Sequence, residues 1–245
     1  MSGHSKWATI KRQKGKTDAA RGAIFTKIGR ELAVAAKGNP NPDTNSKLAD
    51  VIAKAKAANM PNENIKRSIA KAAGELGDKD YKELTYEGYG VAGSAVIIKT
   101  LTDNVNRTAG DIRSAMGKCG GQMGATGCVS YMFDNKGVFV IERTVALDED
   151  TMMEYCLEAE ADDYTVEDDV YEVYTTPEKW SEARKYFEGK GVTFLEAEIK
   201  MIPQNYITLA GDKLETFMKM LDKLEELDDV QSVYHNVELP EEDEE

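Results

Sequence analysis

No run of eighteen apolar residues occurs anywhere in the 245-residue chain; the most apolar stretches, "SAVII" and "GVFVI", are the length of strands. A membrane-spanning helix is therefore not expected. Cysteine is scarce, with Cys119, Cys128 and Cys156 only, and no CxxC spacing, so neither a disulfide framework nor a thiol redox motif is expected. Histidine is scarcer still. With His4 and His235 alone, a Cys/His zinc site cannot be assembled, and no catalytic triad or paired-carboxylate constellation stands out. No apolar core follows the first charges, so a secretory leader is not expected, and a transit peptide is disfavoured because the basic segment runs into a structural helix. These absences point to a cytoplasmic protein without metal, cofactor or catalytic residues.

Charge is what the chain has, and it is segregated. The formal net charge is −13, yet residues 1–80 carry sixteen Lys or Arg against eight acids, while residues 81–245 carry fifteen against thirty-six. The opening "MSGHSKWATIKRQKGKTDAARGAIFTKIGRELAVAAK" holds nine cations and two acids. Residues 1–16 lack apolar periodicity beyond Trp7 and Ile10 and read as a flexible basic arm. A helix is expected from Thr17 or Asp18, with Ile24, Phe25, Ile28 and Leu32 on one face and the cations Lys27, Arg30 and Lys37 opposite, stopped by "GNPNP". A second helix from about Ser46 and a third carrying Ile65 and Ile69 inward, with Lys66, Arg67 and Lys71 outward, complete a three-helix bundle.

Beyond residue 80 the periodicity changes. "GSAVIIKTLT" reads as a strand, "NVNRTAGDIRSAMGKCG" as a helix and "CVSYMFD" as a strand. "GVFVIERT", "DEDTMMEYCLEAEA", "DYTVEDD", "VYEVYTT", "PEKWSEARKYFEGKG" and "TFLEAEIKM" then read β-α-β-β-α-β, the ferredoxin-like order, with Met152, Met153, Cys156 and Leu157 on one side of the first helix. "NYITLA", "DKLETFMKMLDKLEELDD" and "VQSVYHNVEL" form a last β-α-β with no partner of its own. Pairing it with the one at 94–133 gives an α+β multidomain chain. Its parts are an arm and bundle at 1–80, a discontinuous α/β middle domain at 81–134 plus 204–238, an inserted ferredoxin-like domain at 135–203, and an acidic tail at 239–245.

Several motifs invite chemistry. "GYGVAG" fits GxGxxG, but a phosphate loop needs a helix after it and a strand follows here. Gly120-Gly121-Gln122 matches the GGQ tripeptide with which peptide release factors hydrolyse peptidyl-tRNA, which makes a hydrolase one alternative. Turn glycines between a helix and a strand explain it without chemistry. The acids at 158–169 lack calcium-loop spacing, and His235 shares strand parity with Val233 and Val237 as a tucked side chain would. A membrane-surface role for the 18–37 helix ranks last, its apolar face being short. What remains is the basic front. Lys6, Lys11, Arg12, Lys14, Lys16, Arg21, Lys27, Arg30, Lys66 and Arg67 are candidate phosphate contacts, and Trp7 among them can stack on a base or sugar. No groove-reading signature accompanies them, so backbone and shape recognition is expected.

"SGHSKWATIKRQKGKTDAARGAIFTKIGREL", "NMPNENIKRSIAKA", "YEGYGVAG", "LTDNVNRT", "GGQMGATGCVSYMF" and "VQSVYHN" closely resemble the YebC/PmpR family across nearly the whole chain. The resemblance implies three domains with the middle one discontinuous. It also implies a non-enzymatic regulator of transcription that binds DNA or, by its mitochondrial relatives and links to stalled ribosomes, a translational activator on ribosomal RNA. By resemblance, His4, Ser5, Lys6, Trp7, Lys11, Arg12 and Lys14, with Asn104, Asn106 and Arg107 of "TDNVNRT", are nucleic-acid contacts. Nucleic acid or the ribosome is thus the expected partner of a monomer, with no membrane and no small-molecule substrate.

Overall fold

A computed structural model of the chain describes residues 18–73, 81–144 and 146–240. Three helices come first: α1 (Asp18–Ala36), α2 (Ser46–Ala57) and α3 (Asn62–Ala73). Gly38, at φ +85°, ends α1 in the left-handed region that glycine adopts freely. Asn45 then does two things. Its Oδ1 accepts the Leu48 amide at 3.1 Å, capping α2, and its Nδ2 donates to the carbonyls of Ala35 and Asn39, both at 2.7 Å, tying the end of α1 to the start of α2. Ile28, Leu32, Leu48, Ala55, Met60 and Ile65 form the shared core. Each fully buried leucine stabilises such a core by about 1.5–3 kcal/mol relative to exposure.

The second sheet region has the order β3 (Gln122–Met123), β1 (Lys82–Tyr89), β2 (Ala95–Thr102), β9 (Val230–His235), every pair antiparallel. Its strands thus come from both sides of residues 133–203. Helices α4 (Val105–Gly117) and α7 (Asp212–Glu225) cover one face, where Val96 and Ile98 meet Ile112, Met116, Phe217 and Leu221. Ala95 and Ile97 point the other way, to Val129 and Phe133. Burial on both faces explains why β2 reads as continuous apolar sequence rather than an alternation. A small parallel pair, β8 (Ile207–Thr208) with β10 (Val237–Glu238), closes this part of the chain.

The third unit has the order β5 (Asp163–Val166), β6 (Val170–Thr175), β4 (Phe133–Glu142), β7 (Phe194–Pro203), again antiparallel throughout. That order is what a β-α-β-β-α-β chain of ferredoxin-like type produces. Helices α5 (Glu149–Glu158) and α6 (Trp180–Gly189) pack on one face, with Phe139 stacked on Trp180 at 5.9 Å and tilted against Phe187 at 5.5 Å.

Three local expectations are corrected, and β1 is a strand the sequence pattern does not reveal. "CVSYMFD" is not a strand of the middle sheet: Ser130–Met132 form a 3₁₀ turn, and the strand that starts at Phe133 continues through "GVFVI" as β4. "NYITLA" contributes two strand residues, not six. On α5, Met152 and Cys156 are buried, but Met153 and Leu157 lie 45% and 74% exposed, because 100° per residue carries each next position off the buried stripe.

The units are tied to one another by charge. Lys54 of α2 reaches Glu31 of α1 at 3.2 Å and Glu198 of β7 at 3.3 Å. Burial works against its ammonium, but those two carboxylates outweigh the burial and hold its pKa above the usual lysine range. Arg184 of α6 reaches Asp50 of α2 at 3.4 Å, and Lys47 of α2 reaches Glu83 of β1 at 2.9 Å.

Candidate nucleic-acid interface

The expected arm contacts His4, Ser5, Lys6, Trp7, Lys11, Arg12, Lys14 and Lys16, and the side chain of Arg21, lie outside the described residues. The remaining candidates divide into three groups.

Lys66 and Arg67 stand exposed on α3, with Lys71 one turn further on. Lys66 faces Glu63 at 3.8 Å with both side chains largely in water, and Arg67 donates to the Asn64 side chain. An exposed pair of this kind is worth about 0–1 kcal/mol, so an incoming phosphate displaces it at little cost. Asn106 is likewise exposed, on the first turn of α4.

Lys27 and Arg30 are placed differently. The Lys27 ammonium donates to the Glu225 carbonyl at 2.6 Å; the Arg30 guanidinium donates to the Asp228 carbonyl at 2.6 Å and to Asp229 Oδ1 at 2.8 Å. The α1 face opposite its apolar stripe therefore meets the corner between α7 and β9, 198 and 199 residues away in the chain, and these two cations are joined to the body there.

Asn104 and Arg107 are engaged at the same corner. Asn104 caps α4, its Oδ1 accepting the Arg107 amide at 3.1 Å. The Arg107 guanidinium donates to Asp103 at 2.8 Å and to Asp229 Oδ2 at 2.7 Å, while its side chain stays 46% exposed. Asp229 Oδ2 also accepts the hydroxyls of Thr108 at 2.7 Å and Thr102 at 3.1 Å. Burial works against the Asp229 charge, but the hydrogen bonds from Arg107, Thr108 and Thr102 outweigh it and hold the carboxyl below its usual pKa. "TDNVNRT" is thus a capped helix start wrapped round one carboxylate, and Asp229, only 6% exposed, is the residue that sequence reading missed. Its sole signal there is a pair of acids between a leucine-rich helix and a strand.

The motifs with catalytic overtones resolve into structure. "GYGVAG" is a hairpin: Gly90 donates its amide to the Ser94 carbonyl at 2.7 Å, and β2 follows, not a helix. Gln122 belongs to β3 and pairs with Tyr89, and a side chain at Gly121 would meet the Tyr89 carbonyl and Met220 sulfur, both at 3.1 Å. The loop after it is held by Glu87, a buried carboxylate that accepts the amides of Gly127 at 2.8 Å, Val129 at 2.9 Å and Ser130 at 2.8 Å. Burial opposes its charge, but those amides outweigh it and hold its pKa below the carboxylate norm. The His235 ring packs edge-on to Phe217 at 5.1 Å. Cys119, Cys128 and Cys156 are free thiols, and burial pushes Cys156 up to about 12. Among the described residues no group of three or more His, Cys, Asp or Glu could hold a metal ion, and no helix is long and apolar enough to cross a membrane.

Comparison with known proteins matches two family models. One, described as the TACO1/YebC protein N-terminal domain, covers residues 5–75; the other, the TACO1/YebC second and third domain, covers residues 81–237. A Clostridium botulinum protein named "Probable transcriptional regulatory protein" is 57% identical over 242 residues, 98% of each chain. One of the same name from Acetivibrio thermocellus is 56% identical over 238 residues, 96% of this chain and 98% of that one. The crystal structure of a conserved hypothetical protein from Aquifex aeolicus superposes with a TM-score of 0.85 at 42% identity, over 98% of this chain and 99% of that one.

Proposed function

The chain belongs to the TACO1/YebC family, and from that premise we propose that it is a nucleic-acid-binding, non-enzymatic regulator of gene expression. The observation that carries the reading is charge segregation: sixteen cations against eight acids in residues 1–80, and fifteen against thirty-six in the rest. Only the front of the molecule attracts phosphate; the body repels it. Within that front, residues 4–16 and the exposed Lys66 and Arg67 are the proposed contacts, joined by Asn106 on α4. Lys27, Arg30, Asn104 and Arg107 support the interface by holding α1 and α4 in place. The names of the relatives favour DNA as the polymer.

One observation favours structured RNA as a second reading, with the ribosome as its source. The two cations that would have formed a basic recognition face on α1 are joined to the α7–β9 corner, which leaves recognition to a basic segment better suited to backbone and shape than to base edges in a groove. Competition between duplex DNA and ribosomes for the purified protein at one physiological salt concentration decides between them. Preferential retention on duplex supports the transcriptional reading, and preferential retention on ribosomes the translational one. Binding to neither overturns the proposal.

The protein is taken to act in the cytoplasm, as a monomer and without a cofactor. A hydrolase acting through Gln122 is the competing class. Gln122→Ala is expected to leave arm-driven duplex binding at wild-type level and to change genetic complementation no more than it changes binding; loss of complementation with duplex and single-strand binding both intact would establish the enzyme instead.

A further inference from the structure

The body is acidic, but not uniformly. From Asp111 to Asp134 the chain has no acid between, and it carries Arg113 and Lys118. This stretch holds β3 and the loop that Glu87 fixes through three amides, with the Glu87 carboxylate turned inward and only 5% exposed. Two aromatic side chains stand out at this surface. Tyr131 is 70% exposed, and Tyr89, at the end of β1, is 40% exposed. The Tyr89 hydroxyl donates to the Cys128 carbonyl at 2.9 Å, fixing one ring against the loop that carries the other. Gln122 is the cross-strand partner of Tyr89, so its amide side chain lies on the same face. Asp134, the nearest acid along the chain, accepts a hydrogen bond from Gln204 at 3.0 Å.

We infer that Tyr131 and Tyr89, with Gln122 beside them, form a second contact for nucleic acid on the body, where an unpaired base stacks. Exposed aromatics held rigid lose little entropy on binding, and every base presents a face to stack on. A primary amide supplies both a donor and an acceptor to a base edge. Along residues 112–133 no carboxylate reaches the surface, and the Glu87 carboxylate beneath the loop is turned inward onto three amides, which weakens the repulsion that elsewhere keeps phosphate off the body. The inference rests on the nucleic-acid reading above and adds the ligand's class: single-stranded or looped rather than fully paired polymer.

The full-length protein is titrated with a fluorescent oligouridylate and, separately, with a duplex of the same length. Tyr131→Ala is expected to weaken single-strand binding about tenfold while duplex binding stays within about twofold. The salt dependence should be unchanged, since no charge is lost. Tyr131→Phe, which keeps the ring, should match wild type. Equal single-strand affinity for wild type and Tyr131→Ala, or a Phe variant as weak as the Ala variant, overturns the inference. A 4-thiouridine oligomer crosslinked to the unaltered protein gives an independent readout: adducts within residues 119–133 support it, and adducts confined to residues 1–80 refute it. Should wild type bind neither probe, the nucleic-acid reading itself falls, a result distinct from selective failure of the Tyr131 variants.

Discussion

Asp229→Asn is expected to lower folding stability by about 3 kcal/mol, read as a lower urea midpoint. The carboxylate is buried and receives Arg30, Arg107, Thr102 and Thr108. The amide cannot replace it. It has one acceptor oxygen for four donors, and its own N–H groups face guanidinium and hydroxyl protons. Two guanidiniums lose their buried carboxylate partner at once, Arg107 keeping only Asp103 and Arg30 only the exposed Asp228. Arg107 can turn partly to water, being nearly half exposed, which sets the figure at the lower end of the range for broken buried pairs. Asp228→Asn is the built-in control. Its side chain is 66% exposed and 3.7 Å from Arg30, so its loss should cost no more than about 0.5 kcal/mol.

The same carboxylate makes stability depend on pH. Its folded pKa lies below the unfolded value, so its contribution is complete above the ordinary carboxylate range and is lost as pH falls through the folded value. Glu87 shifts in the same direction and adds to the effect. Wild type should lose stability on acidification below about pH 4, and Asp229→Asn should lose less over that window because it has one such group fewer. Parallel acid curves for the two proteins would contradict the assignment.

How much of this was legible in the sequence depends on the range of the interaction. Ile28, Leu32 and Leu48 announce their burial by spacing, and they are buried. Helix stops and turns are legible for the same reason: Gly38 and the "GYGVAG" hairpin act within five residues of themselves. Lys27 and Arg30 show the limit. A helical wheel puts them opposite the apolar stripe and assigns that side to solvent, but a helix caught between two units has two occupied faces. Nothing within α1 reveals partners two hundred residues away. Asp229 is the other half of the same problem: beside Asp228 it looks like a solvated helix end. Strand β1 escaped because "KELTYEGY" alternates weakly and carries three charges. "CVSYMFD" misled because its apolar density comes from packing a loop onto Ile97, not from a ladder. Of the candidate interface, the arm is proposed from charge alone, while Tyr131 gives no sign in the sequence, since exposure of an aromatic is a tertiary property.

The second large effect concerns binding. Replacing Lys6, Lys11, Arg12, Lys14 and Lys16 by Gln is expected to weaken association with duplex DNA or ribosomal RNA on the order of a hundredfold or more at physiological salt. Each cation that meets a phosphate releases condensed counterions, and that entropy is the main drive for binding without base readout. Removing these five leaves a chain whose net charge is more negative still, so the long-range field turns repulsive as well. Folding stability should be untouched, since none of the five replaces an apolar residue. Lys27→Gln with Arg30→Gln is expected to do the reverse: it weakens the contact with the α7–β9 corner and lowers the urea midpoint, while affinity changes little.

The slope of log affinity against log salt concentration, measured for wild type and these two variants, tests the charge-segregation account most directly. Wild type should give roughly −6 for the five arm cations together with Lys66 and Arg67, the arm variant roughly −2, and the Lys27/Arg30 variant the wild-type slope. An arm variant that keeps both the affinity and the slope of wild type would contradict it.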